Sequence, residues 1–300
     1  MTLILAEVSQ DDGFFVADTL LNDVYSIDRP TLFNGAFHAL KVHILCEKLC
    51  IGFAGNYDLG LTVINQVGNY LEKNEKTIDD LLLPVICSLY EKEYKSRDLQ
   101  PDACEFLVMI IAESGNVLTK IIATQLVCEH KKIHRAYIGN NSAYCQLQSL
   151  RELSNVPDWQ HIQQPDGTFE IIPFQISDLE KNFNEISDAM IKIPTQIKKP
   201  SVAVLGDSVI RVRIAKSGNF EYMQQVVRGS SEAESNIGIS LLTSVAPKYG
   251  IGIFYEAGGI GDLFIAGDRE HVRRIKAFTL AEFKKIAHQD YQLTLDGACW

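Results

Sequence analysis

The chain has 300 residues, 46% hydrophobic and 22% charged, and its 28 Lys plus Arg against 38 Asp plus Glu leave a formal charge of −10. This is the composition of a globular chain that can bury a sizeable core without staples. An acidic balance without a Lys/Arg cluster argues against nucleic acid as the main partner. The apolar run at residues 3–6 is too short for a signal peptide, and no later run approaches the ~20 residues of a membrane span, so a cytoplasmic protein without a membrane partner is expected. Cys46, Cys50, Cys87, Cys104, Cys128, Cys145 and Cys299 are odd in number and sit mostly in apolar runs, which predicts reduced, buried thiols.

Residues 3–9 and 14–18 are rich in β-branched and aromatic side chains and flank Asp11-Asp12-Gly13, which predicts a β-hairpin. Residues 42–46 and 49–54 predict a second strand pair turning at Glu47-Lys48, after a Pro- and Gly-containing loop at 27–39. Asp58 opens a helical pattern through Leu61, Ile64, Val67 and Leu71. Thr77 and Asp80 have capping-box spacing for a second helix through Ile78, Leu81, Val85 and Leu89, in which Pro84 should kink the helix or move its start. Strands are predicted at 104–112 and 117–127, joined at Ser114-Gly115-Asn116, and at 133–138, before a short helix after Gly139-Asn140-Asn141.

Pro157, Pro165-Asp166-Gly167 and Pro173 predict irregular structure over 151–175. Ser177 with Glu180 caps a third clear helix whose Leu179, Phe183, Ile186, Met190 and Ile193 share a face. Strands near 201–205, 208–215 and 219–227 lead to the linker-like stretch 228–236. Residues 237–245, 250–255 and 262–266 predict further strands, and Asp268 a cap for a last helix carrying Val272, Ile275, Phe278 and Ile286. Strands and helices arrive in blocks rather than alternating, which points to an α+β fold of layered antiparallel sheets flanked by helices.

Candidate chemistry is concentrated at the start. Thr2 follows a methionine that cells commonly remove before a small residue, which leaves a hydroxyl and a free α-amine on one residue. With Asp18 and Lys41 downstream, these are the parts of an N-terminal threonine hydrolase. Other patterns are incomplete. His130 and His134 have metal-pair spacing without the Cys or acidic partners of a site, so no metal is expected. Gly258-Gly259-Ile260-Gly261 leads into a strand-like run rather than a helix, so no nucleotide cofactor is expected. The Gly-Asp-Ser within 201–214 lacks the glycine pattern of a nucleophile elbow.

Residues 2–72 resemble the N-terminal part of proteasome β-type subunits and of the bacterial proteasome-like peptidase. There a threonine opens the first strand and an aspartate ends the second sixteen positions later, the separation of Thr2 and Asp18. Lys41 in Leu40-Lys41-Val42-His43-Ile44 matches the family lysine after a longer loop, and Ile51-Gly52-Phe53-Ala54-Gly55-Asn56-Tyr57-Asp58 matches the strand, Ala-Gly and helix-opening Asp that follow. The segment from Ala136 to Tyr144 resembles the family's turn before a helix. Coverage is loose after residue 150 and ends near 226.

The resemblance implies an N-terminal nucleophile hydrolase built as a four-layer αββα sandwich of two antiparallel sheets. The corresponding domain would span 1–227, with 228–300 as a C-terminal extension packed on it. It also implies a peptide or protein substrate, no cofactor, and a homo-oligomeric ring that works with an ATP-dependent unfoldase. In the chemistry so implied, the α-amine is the base for the Thr2 hydroxyl, the Lys41 ammonium holds the amine's pKa down, Asp18 orients Lys41, and the Gly55 backbone N–H binds the oxyanion. Asn140 and Asn141 replace the family's turn serine and second glycine, and no supporting Asp and Ser stand near Ile193-Pro194-Thr195. These departures favour the alternative, a catalytically inactive structural or regulatory protein on the same fold. A third possibility is an unrelated α+β binding protein whose first strands match by chance.

Overall fold

The computed structural model describes residues 2–21, 37–74, 82–123, 128–153, 159–163, 169–173, 183, 185–187, 189–190, 209–223, 225–229, 239–246, 249–255, 258–266, 268 and 272–295. In chain order these form β1 (Leu3–Val8), β2 (Gly13–Asp18), β3 (Leu20–Leu21), β4 (Phe37–His38), β5 (Val42–Cys46) and β6 (Leu49–Gly55). Next come α1 (Tyr57–Asn74), α2 (Leu82–Ser96), β7 (Cys104–Ala112), β8 (Gly115–Ala123), β9 (Cys128–Ile133), β10 (Arg135–Gly139) and α3 (Asn141–Leu153). After these lie β11 (Trp159–Gln163), β12 (Phe169–Pro173), β13 (Val209–Ile214), β14 (Phe220–Met223) and β15 (Gln225–Gly229). The chain continues through β16 (Ile239–Ala246), β17 (Gly250–Tyr255), β18 (Ile260–Ile265), β19 (Arg273–Lys276) and α4 (Leu280–Tyr291). Residues 183, 185–187 and 189–190 are also helical.

The strands form three five-stranded antiparallel sheets, ordered β10-β1-β2-β13-β14, β5-β6-β7-β8-β9 and β15-β16-β17-β18-β19, with small ladders β3-β4 and β11-β12. The two-residue period of a strand decides which side chains meet. Ile4, Ala6 and Val8 of β1, with Phe15 and Ala17 of β2, enter a central cluster, and so do Cys50 and Ala54 of β6 and Leu107 and Met109 of β7. Their neighbours point outward. Leu49, Ile51 and Phe53 pack on Leu59, Val63 and Val67 of α1 and on Leu83, Ile86 and Tyr90 of α2. Leu3, Leu5, Phe14 and Val16 pack on Ala143 and Leu147 of α3 and on Phe183, Ile186 and Met190. Apolar residues on both faces require cover on both sides, and these helices supply it. Tyr222 ties the first two sheets at an edge: its hydroxyl accepts the Ile44 N–H at 2.9 Å and donates to the Val42 carbonyl at 3.1 Å.

The αββα sandwich of two antiparallel sheets is corrected by the third sheet. Val245, Ile251, Ile253, Tyr255 and Phe264 enter the same central cluster as the first two sheets. On its other face, Ala246, Phe254, Leu263 and Ile275 pack on Phe283 and Ala287 of α4. The physical reason is that β17 is buried along its whole length, with Ile251, Ile253 and Tyr255 in the central cluster and Phe254 against α4, so it needs neighbours and cover on both faces.

Local expectations change with it. Residues 219–227 divide between two sheets, with β14 in the first and β15 in the third. The segment after Asp268 forms β19 instead of opening a helix, because Ile275 buries against α4 while Arg274 pairs across to Asp262 at 2.8 and 3.0 Å. The last helix is capped by Thr279, which accepts the Glu282 N–H at 3.1 Å, while Glu282 accepts the Phe278 N–H at 2.8 Å. Phe278, expected on a buried helix face, is 89% exposed. The stretch expected to be irregular holds the β11–β12 ladder, in which Pro173 stands on an edge strand, where a missing N–H is tolerated. Pro84 lies in the first turn of α2, where it removes no intrahelical bond.

The Thr77–Asp80 and Ser177–Glu180 caps, the strand at 201–205, residues 22–36 of the long loop and most of 228–236 lie outside the described residues. Among the described cysteines Cys50, Cys87 and Cys104 are buried, Cys46 is half-buried and Cys145 is exposed, all of them free. No described helix is long and apolar enough to cross a membrane.

The Phe283 ring occupies space left by two glycines of the third sheet. A Cβ at Gly261 would lie 2.2 Å from the ring, and one at Gly252 would lie 2.9 Å from it. Phe283→Ala is expected to cost about 3–5 kcal/mol and Gly261→Ala about 1–3 kcal/mol. The Gly261→Ala penalty should shrink in the Phe283→Ala background, because the clash is with that ring. Urea unfolding of the two single variants and the double variant measures all three.

Candidate active site

The site is built from the ends of strands. Asp18 is the last residue of β2, paired with Val209 of β13, and is wholly buried. One carboxylate oxygen accepts the Leu3 N–H at 2.7 Å and the other accepts from the Lys41 ammonium at 2.8 Å. Lys41 lies just before β5 and is 1% exposed. Each charge costs several kcal/mol to desolvate, and the pair is tolerated because both carboxylate oxygens have donors and the ammonium has its counter-ion. The Leu3 nitrogen is bonded directly to Thr2, so the ion pair stands beside the half-buried residue that carries the candidate hydroxyl.

The carbonyl side of Thr2 is held as closely. It accepts the Asn140 N–H at 2.7 Å, and Asn140 caps α3 by accepting the Ala143 N–H on its side chain at 2.7 Å. Asn140 therefore has a structural role at the turn where the family pattern has a serine. The preceding Gly139 has φ of +97°, and a Cβ there would lie 2.0 Å from the Thr2 oxygen and 3.3 Å from the Ala54 Cβ, so only glycine fits. This contact brings the β1–β10 end beside the end of β6, where Gly55 sits.

Gly55 has φ of +110°, and a Cβ would lie 2.3 Å from the Ala103 carbonyl. Its N–H direction follows from the ladder. Asn56 donates to Ala103 on the β7 side, and Phe53 donates to the Lys41 carbonyl on the β5 side. Alternation turns the Gly55 N–H to the Lys41 side, beyond the last β5–β6 rung at Val42 and Gly52. Asp18 and Lys41 are thus paired directly, Thr2 is tied to Asp18 only through the Leu3 N–H of the next residue, and Gly55 lies at the end of β6 next to Ala54, close to Gly139.

Three further residues escaped sequence reasoning. Glu105, the one charged residue of β7, accepts the Gly139 N–H at 2.8 Å and pairs with Lys120 at 2.8 Å, tying the turn beside Thr2 to the second sheet. Its isolation in an apolar strand was the available signal. Thr19 and His38 are buried, with Thr19 Oγ1 and His38 Nδ1 at 2.6 Å, and no spacing in the sequence marks them as partners. Among the described residues no group of His, Cys, Asp and Glu could hold a metal ion, and His134 is exposed at the bend between β9 and β10.

Burial holds His38 at about 3, with the Lys41 charge acting in the same direction. Burial also lowers His43 to about 4, partly opposed by its Nε2–H bond to the Leu40 carbonyl at 3.1 Å. Both histidines are neutral at neutral pH. Because the unfolded chain binds these protons near pH 6.5 and the folded chain does not, their stabilisation is complete above about pH 6.5 and is lost as pH falls toward the folded values. Urea midpoints should therefore fall on acidification from pH 6.5 to 5, with each histidine contributing up to about 1.4 kcal/mol per pH unit. His43→Asn should flatten that dependence.

The ion pair makes its own prediction. Asp18→Ala leaves the Lys41 ammonium buried without its carboxylate and is expected to cost about 3–5 kcal/mol in urea unfolding. The Asp18→Ala, Lys41→Met double variant should cost less than the sum of the two single variants.

Comparison of the chain with models of known protein families finds no match, and comparison with curated proteins finds none either.

Proposed function

We propose that this chain is an N-terminal threonine hydrolase of peptide or other amide bonds, acting in the cytoplasm, with Thr2 as nucleophile after loss of Met1. The observation that carries this proposal is the single Asp18 carboxylate that binds both the backbone next to Thr2 and the Lys41 ammonium. The earlier resemblance to proteasome β-type subunits adds the expectation of a homo-oligomeric ring served by an unfoldase.

In the proposed reaction, the neutral Thr2 α-amine takes the proton of its own Oγ1 as that oxygen attacks the substrate carbonyl carbon. The Lys41 ammonium disfavours a second positive charge nearby, so it keeps the amine unprotonated near neutral pH. The carbonyl oxygen gains negative charge and is met by the Gly55 N–H, which is fixed in the sheet before the reaction begins. Collapse of the tetrahedral intermediate breaks the C–N bond, and the α-ammonium returns its proton to the leaving amine. Water, deprotonated by the same amine, then attacks the Thr2 ester, releasing the acid and restoring the hydroxyl.

Intact mass is expected to show a chain that begins at Thr2. A threonine-directed epoxyketone peptide should label the wild type at Thr2 and leave Thr2→Ala unlabelled, and Lys41→Met should slow labelling by roughly 10²–10³-fold. A retained Met1, or labelling that survives Thr2→Ala, would sink the proposal and leave a structural or regulatory role.

A further inference from the structure

The segments carrying Asp18 and Lys41 are joined a second time, one residue past Asp18 and a few residues before Lys41. The Thr19 carbonyl accepts the Ala39 N–H at 2.7 Å, and the Thr19 hydroxyl meets His38 Nδ1 at 2.6 Å. Both side chains are buried, and Leu20 pairs with His38 in the β3–β4 ladder. The His38 ring has a second contact: Phe264 of β18 meets it edge-on at 5.0 Å. Phe264 and Leu40, the residue before Lys41, share the central cluster.

This second junction meets a mechanical need. Asp18 and Lys41 are 23 positions apart, and a lysine reaches its partner on a flexible four-carbon stem. Fixing an ammonium against one face of Thr2 therefore requires the backbone before Lys41 to be held in register with the end of β2. Thr19 and His38 form a side-chain bond between those two segments, and the Phe264 ring contacts the His38 ring.

We propose that the Thr19–His38 bond, seated on Phe264, is a positioning device that holds the Lys41 ammonium beside the Thr2 amine, which makes the third sheet a working part of the site. The proposal rests on the hydrolase reading above, in which Lys41 acts on that amine. His38 is itself not an acid or base for the reaction. With burial and Lys41 holding it near 3, it stays neutral across the range in which an α-amine titrates. Its contribution is a neutral hydrogen bond and a ring contact.

The test measures the pKa of the Thr2 α-amine in the full chain beginning at Thr2, by competitive acetylation with acetic anhydride read by mass spectrometry. His38→Phe keeps a ring on Phe264 and removes the bond, Thr19→Val keeps shape and removes the hydroxyl, and His38→Asn retains a hydrogen-bonding group near the Nδ1 position. The amine midpoint should rise by about 1 pH unit in the first two, as expected when a nearby cation is lost, with no further rise in the double variant. His38→Asn should return it toward wild type. Cys50 and Cys104, both buried, serve as folding reporters and should stay closed to a thiol reagent throughout. If His38→Phe opens them, Thr19→Val carries the test. Unchanged midpoints in folded His38→Phe and Thr19→Val overturn the positioning role. A shifted midpoint in a chain whose Oγ1 takes no epoxyketone adduct supports that role and instead defeats the hydrolase reading.

Discussion

A carboxylate removed from water must have donors, and Asp18 obtains them from two distant parts of the chain. Its bond to the Leu3 N–H fixes the start of the first strand, and its bond to the Lys41 ammonium fixes the segment entering β5. Removing either donor would leave the buried carboxylate short of a partner, so the two segments hold each other in place. The peptide bond between Thr2 and Leu3 is thereby held at its N–H. Asn140 and Gly139 complete the hold from the opposite side of the residue.

The sheets are arranged so that this polar knot can exist inside an apolar surround. Strands whose side chains alternate into two clusters need cover on each face, and the helices and the third sheet provide it. The third sheet does more than add area. Phe264 reaches the His38 ring, and His38 reaches Thr19, so a contact from residues late in the chain arrives next to Asp18. The third sheet and the segment after Asp18 meet there through two rings and a hydroxyl. Just after Lys41, the Tyr222 hydroxyl serves a carbonyl and an N–H of β5 at once, and burial with the nearby Cys50 keeps that hydroxyl protonated, its ionisation pushed up.

Much of the local structure was legible in the sequence. The hairpin around Gly13, the pair turning at Glu47-Lys48 and the helix beginning near Asp58 follow from alternation, turn residues and 3.6-residue periodicity, all of which operate over a few residues. Where local signals competed, the tertiary structure chose. Val272 and Ile275 fit a helical spacing, yet β18 offers Arg274 a carboxylate and α4 offers Ile275 a buried seat, so the segment is a strand. The Thr279-to-Glu282 spacing was a local helix signal available a few residues later. The run at 219–227 has no internal mark telling β14 from β15, because the difference lies in which sheet each joins.

The same division applies to the candidate site. By itself the sequence determined the chemical inventory: a threonine behind the first methionine, an aspartate ending a strand, a lysine before another, and a glycine ending a third. These are properties of residue type and local pattern. Only the tertiary structure decided that one carboxylate bridges Leu3 and Lys41, that Glu105 secures Gly139, and that Thr19 meets His38 under Phe264. Hydrogen bonds between residues far apart in the chain depend on distances set by sheet order and register, and no local preference encodes them. The number of sheets was decided in the same way, by which apolar faces found cover when the whole chain packed.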